Sequence, residues 1–230
     1  MIRVLIQRDG SLREGEAHHL QVRRAEPGDV VELRDGEGLV GRGTLRRTGR
    51  TWGVEVGATE RVAPPSPLVL AVGAGDRERF AWAVEKATEL GVTTVIPLEC
   101  ERTAGVATGV RPQHLDRLRR HALEVVKQSG AAWATRVEEP ISLDALLGQP
   151  AEGARWLADA AGGSAPALLG DARLTVVIGP EGGLTPDERE RVLRAGFEAI
   201  RLAPHTLRFE TAAVAAAAAA VAARLRGSNG

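Results

Sequence analysis

The sequence predicts an α/β protein built on a mostly parallel sheet and preceded by a small, separate β-barrel domain. Three observations carry this. Residues 1–62 hold only short β-rich runs divided by Gly and Asp turns, and Ala63–Pro67, APPSP, is a stiff extended spacer. Beyond the spacer, apolar strand patterns alternate with amphipathic helix patterns, the order that produces a parallel sheet covered by helices. The expected domains are 1–66 and 67–230. With 230 residues, 43% of them hydrophobic, the chain can bury a sizeable core in two modest domains.

In the first domain the strand runs are Val30–Leu33, Leu39–Leu45 and Trp52–Val56. Its 11 arginines nearly balance 10 carboxylates, yet Arg23 with Arg24, and Arg46 with Arg47 and Arg50, form local clusters. Solvated strand faces account for such clusters.

The second domain opens with an apolar strand, Leu68–Val72. Asp76 then caps a helix whose Phe80, Ala83, Ala87 and Leu90 share one face, Gly91 ends it, and Val92–Leu98 returns as a strand. This is a βαβ unit. His114–Lys127 reads as a further amphipathic helix, with Leu115, Leu118, Ala122 and Val125 on one side and Arg117, Arg119, Arg120 and Lys127 elsewhere, its arginines reading as a wet face.

The most informative stretch is Val176–Glu188, VVIGPEGGLTPDE: an apolar strand, a glycine loop holding one carboxylate, and a helix start. Thr185 and Glu188 have capping-box spacing, and Pro186 falls at the first helical position, where its missing N–H costs nothing. Gly179, Gly182 and Gly183 lie in the intervening turn, where the lack of a Cβ permits positive φ and close backbone approach to a ligand. Glu181 either binds a ligand hydroxyl or braces the loop by accepting backbone N–H bonds.

A second loop, Leu202–Ala212 (LAPHTLRFETA), lies between the apolar segment Phe197–Leu202 and the alanine-rich run Ala212–Ala223. Two βα loops at the carboxyl edge of a parallel sheet can wall one crevice, the usual ligand position in such folds. Arg208 and Glu210 are then converging polar groups or an exposed ion pair, and Thr211 is read as the N-cap of the last helix.

Thirty basic residues match thirty acidic ones, so affinity for a polyanion must come from a local patch. Lys86 and Lys127 are the only lysines, leaving 28 arginines, a bias that a GC-rich or heat-adapted genome explains. The lone Cys100 has no disulfide partner and reads as a small buried hydrophobe in a reducing compartment. The alanine run is too short to span a bilayer, and no secretory leader is evident, so a cytoplasmic protein without membrane contact or metal is expected.

The ordered motifs GPEGGLTPDE and LRFETA, with KATELGV (Lys86–Val92), QSG (Gln128–Gly130) and HHLQVRRAEPGDVVELRDGEG (His18–Gly38) upstream, resemble the ribosomal RNA small subunit methyltransferase E family of the SPOUT superfamily. The resemblance covers essentially the whole chain. It implies a PUA-like first domain and a SPOUT methyltransferase domain with a trefoil knot near 176–215. It further implies a homodimer that uses S-adenosyl-L-methionine to methylate N3 of a uridine in 16S ribosomal RNA, free or in the small subunit. The implied cofactor residues are Ile178, Gly179, Pro180, Glu181, Gly182, Gly183, Leu202, Leu207, Arg208, Thr211 and Ala212. Arg23, Arg24, Arg46 and Arg47 would grip RNA phosphates without reading sequence.

Loss of the N3 proton calls for a base, water, or a cation that stabilises the imide anion. Arg208 and Arg102, the latter in ECERT and matching a family arginine, are the cation candidates, with Glu181 as a third catalytic candidate. For Arg102 a surface salt bridge with Glu99 or Glu101 is the competing reading. The chain departs from the family pattern at Ala74, Ala131, Ala203, His205 and Phe209; Phe209 either stacks a flipped base or belongs to the core. Two alternatives stay open: a ribose 2′-O methyltransferase of the same superfamily, and a catalytically silent RNA-binding protein.

Overall fold

Burial alternates residue by residue along Val30–Arg34, where Val31 and Leu33 are fully buried and Val30 is exposed, and this period of two organises the first unit. The structure is a computed structural model that describes residues 1–73, 75–103, 110, 112–166 and 172–227. It divides into one unit of Met1–Pro65 with Leu123–Ala134 and a second of Ser66–Ala122 with Thr135–Gly230.

The first unit contains β1 (Arg3–Leu5), α1 (Glu16–Val22), β2 (Val30–Arg34), β3 (Leu39–Thr48) and β4 (Thr51–Arg61). They form a four-stranded sheet in the order β1-β2-β3-β4, with β1 and β2 parallel and the remaining pairs antiparallel. Val4, Ile6, Leu20, Val31, Leu33, Leu45 and Trp52 make its core. β3 and β4 extend beyond the expected runs, to Thr48 and Arg61, because hairpin ladder bonds continue through polar residues that carry no hydrophobic pattern.

The distant segment Leu123–Ala134 is held to this unit by backbone and side-chain bonds. Gly38 N donates to Ala132 O (2.9 Å), and the Trp133 indole donates to Val62 O and Ala63 O (3.1 Å each). Lys127, off the apolar side of the predicted helix, is nearly enclosed: its side chain is 10% exposed and its ammonium lies 2.8 Å from the buried Glu16 carboxylate.

The second unit is the α/β sheet. In chain order it holds β5 (Leu68–Val72), α2 (Arg77–Glu89), β6 (Thr94–Glu99), α3 (Pro112–Ser129, which crosses the division between units), β7 (Arg136–Val137), β8 (Ile141–Ser142), α4 (Leu143–Leu147) and β9 (Ala154–Gly163). There follow β10 (Leu174–Ile178), α5 (Pro186–Arg194), β11 (Glu198–Ile200) and α6 (Phe209–Gly227). All strand pairs are parallel, in the order β11-β9-β10-β5-β6-β7, with β8 also on β6.

Both faces of this sheet are covered, so β5 and β10 are buried at every residue. Leu68, Leu70, Val72, Val176 and Ile178 face residues of α2, α3 and α6, while Val69, Ala71 and Val177 face Leu143 and Leu146 of α4 and Val192 of α5. Asp76 caps α2 as expected, accepting from Glu78 N and Arg79 N. From β10 the chain runs through α5 to the edge strand β11, then doubles back past β9 to place α6 against α2, β5 and β10. That return occupies the segment in which the family resemblance puts a knot.

Candidate functional site

Where β10 ends, four residues decide the shape of the loop. Gly183 N donates to Pro180 O (2.7 Å), which closes a tight turn, and Gly183 takes φ +67°, a conformation that favours glycine. The capping box then starts α5: Thr185 Oγ accepts from Glu188 N at 3.2 Å, and the Glu188 carboxylate accepts from Thr185 N at 2.8 Å. Gly179 and Gly182 have ordinary φ; their role is close approach, since a Cβ on Gly179 would meet Leu184 N at 3.1 Å.

Glu181 does not brace its own loop. Its carboxylate reaches across to the turn before α2, accepting from Gly75 N (3.2 Å) and Asp76 N (3.1 Å). Only glycine fits at position 75 without disturbance, because a Cβ there would come within 3.0 Å of Glu181 Oε2. The neighbouring Ala74 lies outside the described residues.

Arg102 forms no salt bridge with Glu99 or Glu101. Its guanidinium donates to Gly182 O, so it clasps the outside of the glycine loop. The turn that carries it, Cys100–Thr103, is closed by Thr103 N to Cys100 O (2.9 Å) and Cys100 N to Thr103 Oγ (2.8 Å). Cys100 is buried, and burial, with the Glu188 charge adding to it, pushes its thiol up to about 12.

The loop after β10 and the loop after β11 wall one cavity of about 280 Å³. They are not adjacent in the sheet: β9 lies between β10 and β11, and its Leu157–Ala160 form the cavity's remaining wall. Ile178, Gly179, Pro180, Glu181, Gly183, Leu202, Leu207 and Ala212 all line it. Gly182, Arg208 and Thr211 are not part of the lining, although each has neighbours that are.

Sequence reasoning missed the β9 wall, and with it Asp159, whose carboxylate is bonded to Arg189 and accepts from Ala161 N at 2.8 Å. The run ARWLADAAGG gives no strand signal, since alanine, glycine and aspartate are poor strand formers and only parallel pairing on both sides makes it one. His205 and Thr206 also face the cavity.

Three readings of the second loop are decided by the structure. Arg208 and Glu210 are not an ion pair, because Glu210 is buried, with Oε1 3.9 Å from Arg79 Nη1, while Arg208 is exposed. Thr211 is not the N-cap: α6 already begins at Phe209, Ala212 N donates to Arg208 O (2.8 Å), and Thr211 is an exposed first-turn residue. Phe209, 2% exposed, belongs to the core that packs α6 on the sheet while one part of it lines the cavity, and this anchoring accompanies a helix start three residues earlier than a Thr211 cap would give.

On the first unit, Arg46 pairs with Glu55 across the hairpin and Arg47 stacks over the Trp52 ring, 5.3 Å from its centroid. Arg23 and Arg24 are exposed at the end of α1.

The cavity's chemistry suits a partly apolar ligand: leucine and isoleucine side chains and backbone edges form the walls, with Asp159, Arg189, Glu181, His205 and Thr206 as polar groups. Its position at the carboxyl ends of β9 and β10 is the general ligand position of open α/β sheets.

Comparison with known proteins bears on the same residues. Residues 63–221 match the family described as an RNA methyltransferase domain, and residues 12–51 match an RNA methyltransferase PUA domain. The chain is 32% identical over 222 residues to ribosomal RNA small subunit methyltransferase E of Mycobacterium bovis, covering 86% of this chain and 80% of that one. It is 31% identical to the Aquifex aeolicus protein of the same name, covering 88% and 90%. Among solved structures, ribosomal RNA small subunit methyltransferase E from Neisseria gonorrhoeae bound to S-adenosyl methionine superposes with a TM-score of 0.81 at 26% identity, over 95% of this chain and 96% of that one.

Proposed function

The chain belongs to the ribosomal RNA small subunit methyltransferase E family and is an S-adenosylmethionine-dependent ribosomal RNA methyltransferase, and on that premise we propose that it methylates N3 of a uridine in 16S RNA. In this reading it acts as a homodimer, in the cytoplasm, on the RNA or the small subunit that contains it. The observation that carries the reading is the single cavity shared by the GPEGG loop and the LAPHTLRFETA loop.

Ile178, Gly179, Pro180, Gly183, Leu202, Leu207 and Ala212 would hold the cofactor, mainly through backbone groups and apolar contact. When bound, S-adenosylmethionine supplies a methyl group made electrophilic by the sulfonium. Positioning is then the main task of the protein, because holding acceptor and donor in line removes much of the entropic barrier.

Uracil N3 must lose its proton as the methyl arrives. Arg208, exposed between the cavity-lining Leu207 and Phe209, and Arg102, bonded to the glycine loop from the Cys100–Thr103 turn, supply fixed positive charge that stabilises the resulting imide anion while the proton passes to water. Glu181 keeps the glycine loop registered against the turn before α2. Arg23, Arg24, Arg46 and Arg47 contact RNA phosphates.

The test is nucleoside mass spectrometry of unmodified small-subunit RNA, or of assembled subunits, after incubation with the protein and methyl-labelled cofactor. Labelled 3-methyluridine is the expected product. Label in 2′-O-methylated nucleosides would overturn the assignment of position.

A further inference from the structure

Glu188 has a task beyond capping α5. Its residue is 1% exposed, and its two oxygens serve different elements: Oε2 accepts from Thr185 N at 2.8 Å within the capping box, while Oε1 accepts from Glu101 N at 2.8 Å, 87 residues away in sequence. Glu101 immediately precedes Arg102. The Cys100–Thr103 turn is otherwise closed by its own bonds, so the Glu188 contact is what links its backbone to the start of α5 among the hydrogen bonds described.

Arg102 in turn donates to Gly182 O, and Cδ of Arg102 sits where a Cβ on Gly182 would approach it to 3.1 Å. A chain of contacts therefore runs from α5 through Glu188 to the turn, and from the turn through Arg102 back to the glycine loop that precedes α5. Both ends lie on one strand–loop–helix unit. The loop's shape and the arginine's placement are set together.

We propose that Glu188 is a positioning residue that fixes Arg102 against the glycine loop; this rests on the role given to Arg102 above. Glu188 itself touches no substrate. Burial makes the arrangement stiff, because a charge-assisted bond from a carboxylate in a site shielded from water is stronger and less mobile than an exposed one.

The experiment compares kcat and KM for RNA among Arg102→Ala, Glu188→Ala, Glu188→Gln, Thr185→Ala and the double variant Arg102→Ala with Glu188→Ala. Thr185→Ala removes the other half of the capping box but leaves the Glu101 contact intact, so it matches the helix-start defect without moving Arg102. Displacing a catalytic group by about 1 Å can cost on the order of 100-fold, and a fall in kcat of about that size is expected for Glu188→Ala, with little change in KM. Glu188→Gln, which keeps one acceptor oxygen, should recover part of it and guards against a poorly folded alanine variant.

The double variant should be no slower than Arg102→Ala alone. A kcat loss that multiplies in the double variant, or a Thr185→Ala variant as slow as Glu188→Ala, would overturn the positioning role while leaving Arg102 in place. Full kcat in Arg102→Ala would remove Arg102 from the reaction, and the proposal with it.

Discussion

The carboxylate of Glu16, in α1, lies 2.8 Å from the ammonium of Lys127, near the end of α3 and 111 residues further along the chain. Glu16 is fully buried, and burial pushes its carboxyl above the usual range even though the Lys127 bond and charge oppose this. For Lys127, burial works against the charge, but hydrogen bonds to the Glu124 and Glu16 carboxylates hold its pKa above normal.

Breaking such a pair leaves a buried charge without compensation, so Lys127→Met should destabilise the protein by about 3–5 kcal/mol at pH 7 in urea denaturation. Because the folded pKa of Glu16 is raised, its protonation favours the folded state, and that contribution is present at low pH and lost as pH rises through the folded value. The loss caused by Lys127→Met should therefore shrink between pH 7 and pH 4.5. Equal losses at both pH values would show that Glu16 carries no charge in the native protein.

Glu181→Ala should lower kcat/KM without unfolding the protein. Two backbone N–H bonds to a partly exposed carboxylate are at stake, and a loss of about 1–2 kcal/mol corresponds to roughly a 5- to 30-fold fall. Gly75→Ala should give a smaller fall in the same direction, since the added Cβ would lie 3.0 Å from Glu181 Oε2 and push the carboxylate by a few tenths of an ångström. The double variant should then be no worse than Glu181→Ala alone; steady-state assays with a melting curve for each variant decide it.

Cys100 should resist alkylation at pH 8 in the folded protein and react only after denaturation, because its thiol is held near 12. A raised folded pKa also means that the neutral thiol's contribution to stability is present below the unfolded value, about 8.5, and fades as pH climbs towards 12. Cys100→Ala should flatten the decline in stability measured between pH 8.5 and 11. Rapid labelling of the native protein at pH 8 would contradict the burial.

Replacing Arg46 and Arg47 by alanine should weaken RNA binding to all sequences alike and reduce the slope of log affinity against log salt by about 2 if each contacts one phosphate. Part of the cost would come from the folded state: Arg47 leaves the Trp52 ring and Arg46 leaves Glu55. An unchanged salt slope in filter-binding titrations would return these arginines to the role of a solvated strand face.

Local chemistry made much of this molecule legible from sequence. The Thr185–Glu188 capping box, the Asp76 cap and the apolar runs of β5 and β10 each depend on residues close together in the chain, and each stands in the structure where its residue types place it. The two loops that wall the cavity were legible for the same reason: glycine, proline and cap residues mark them.

Partners chosen across the fold were not legible, since spacing says nothing about which distant group will satisfy a buried charge or complete a wall. Tertiary packing alone decided that Arg102 meets Gly182 O rather than Glu99 or Glu101, and that Glu210 turns towards Arg79 rather than Arg208. It also decided that the unmarked run Ala154–Gly163 becomes the strand between β10 and β11, and that Lys127 meets Glu16. The sequence by itself determined the elements that caps and apolar runs mark; the burial of the elements against one another determined which side chains meet, because a buried polar group must find its partner wherever the fold supplies one.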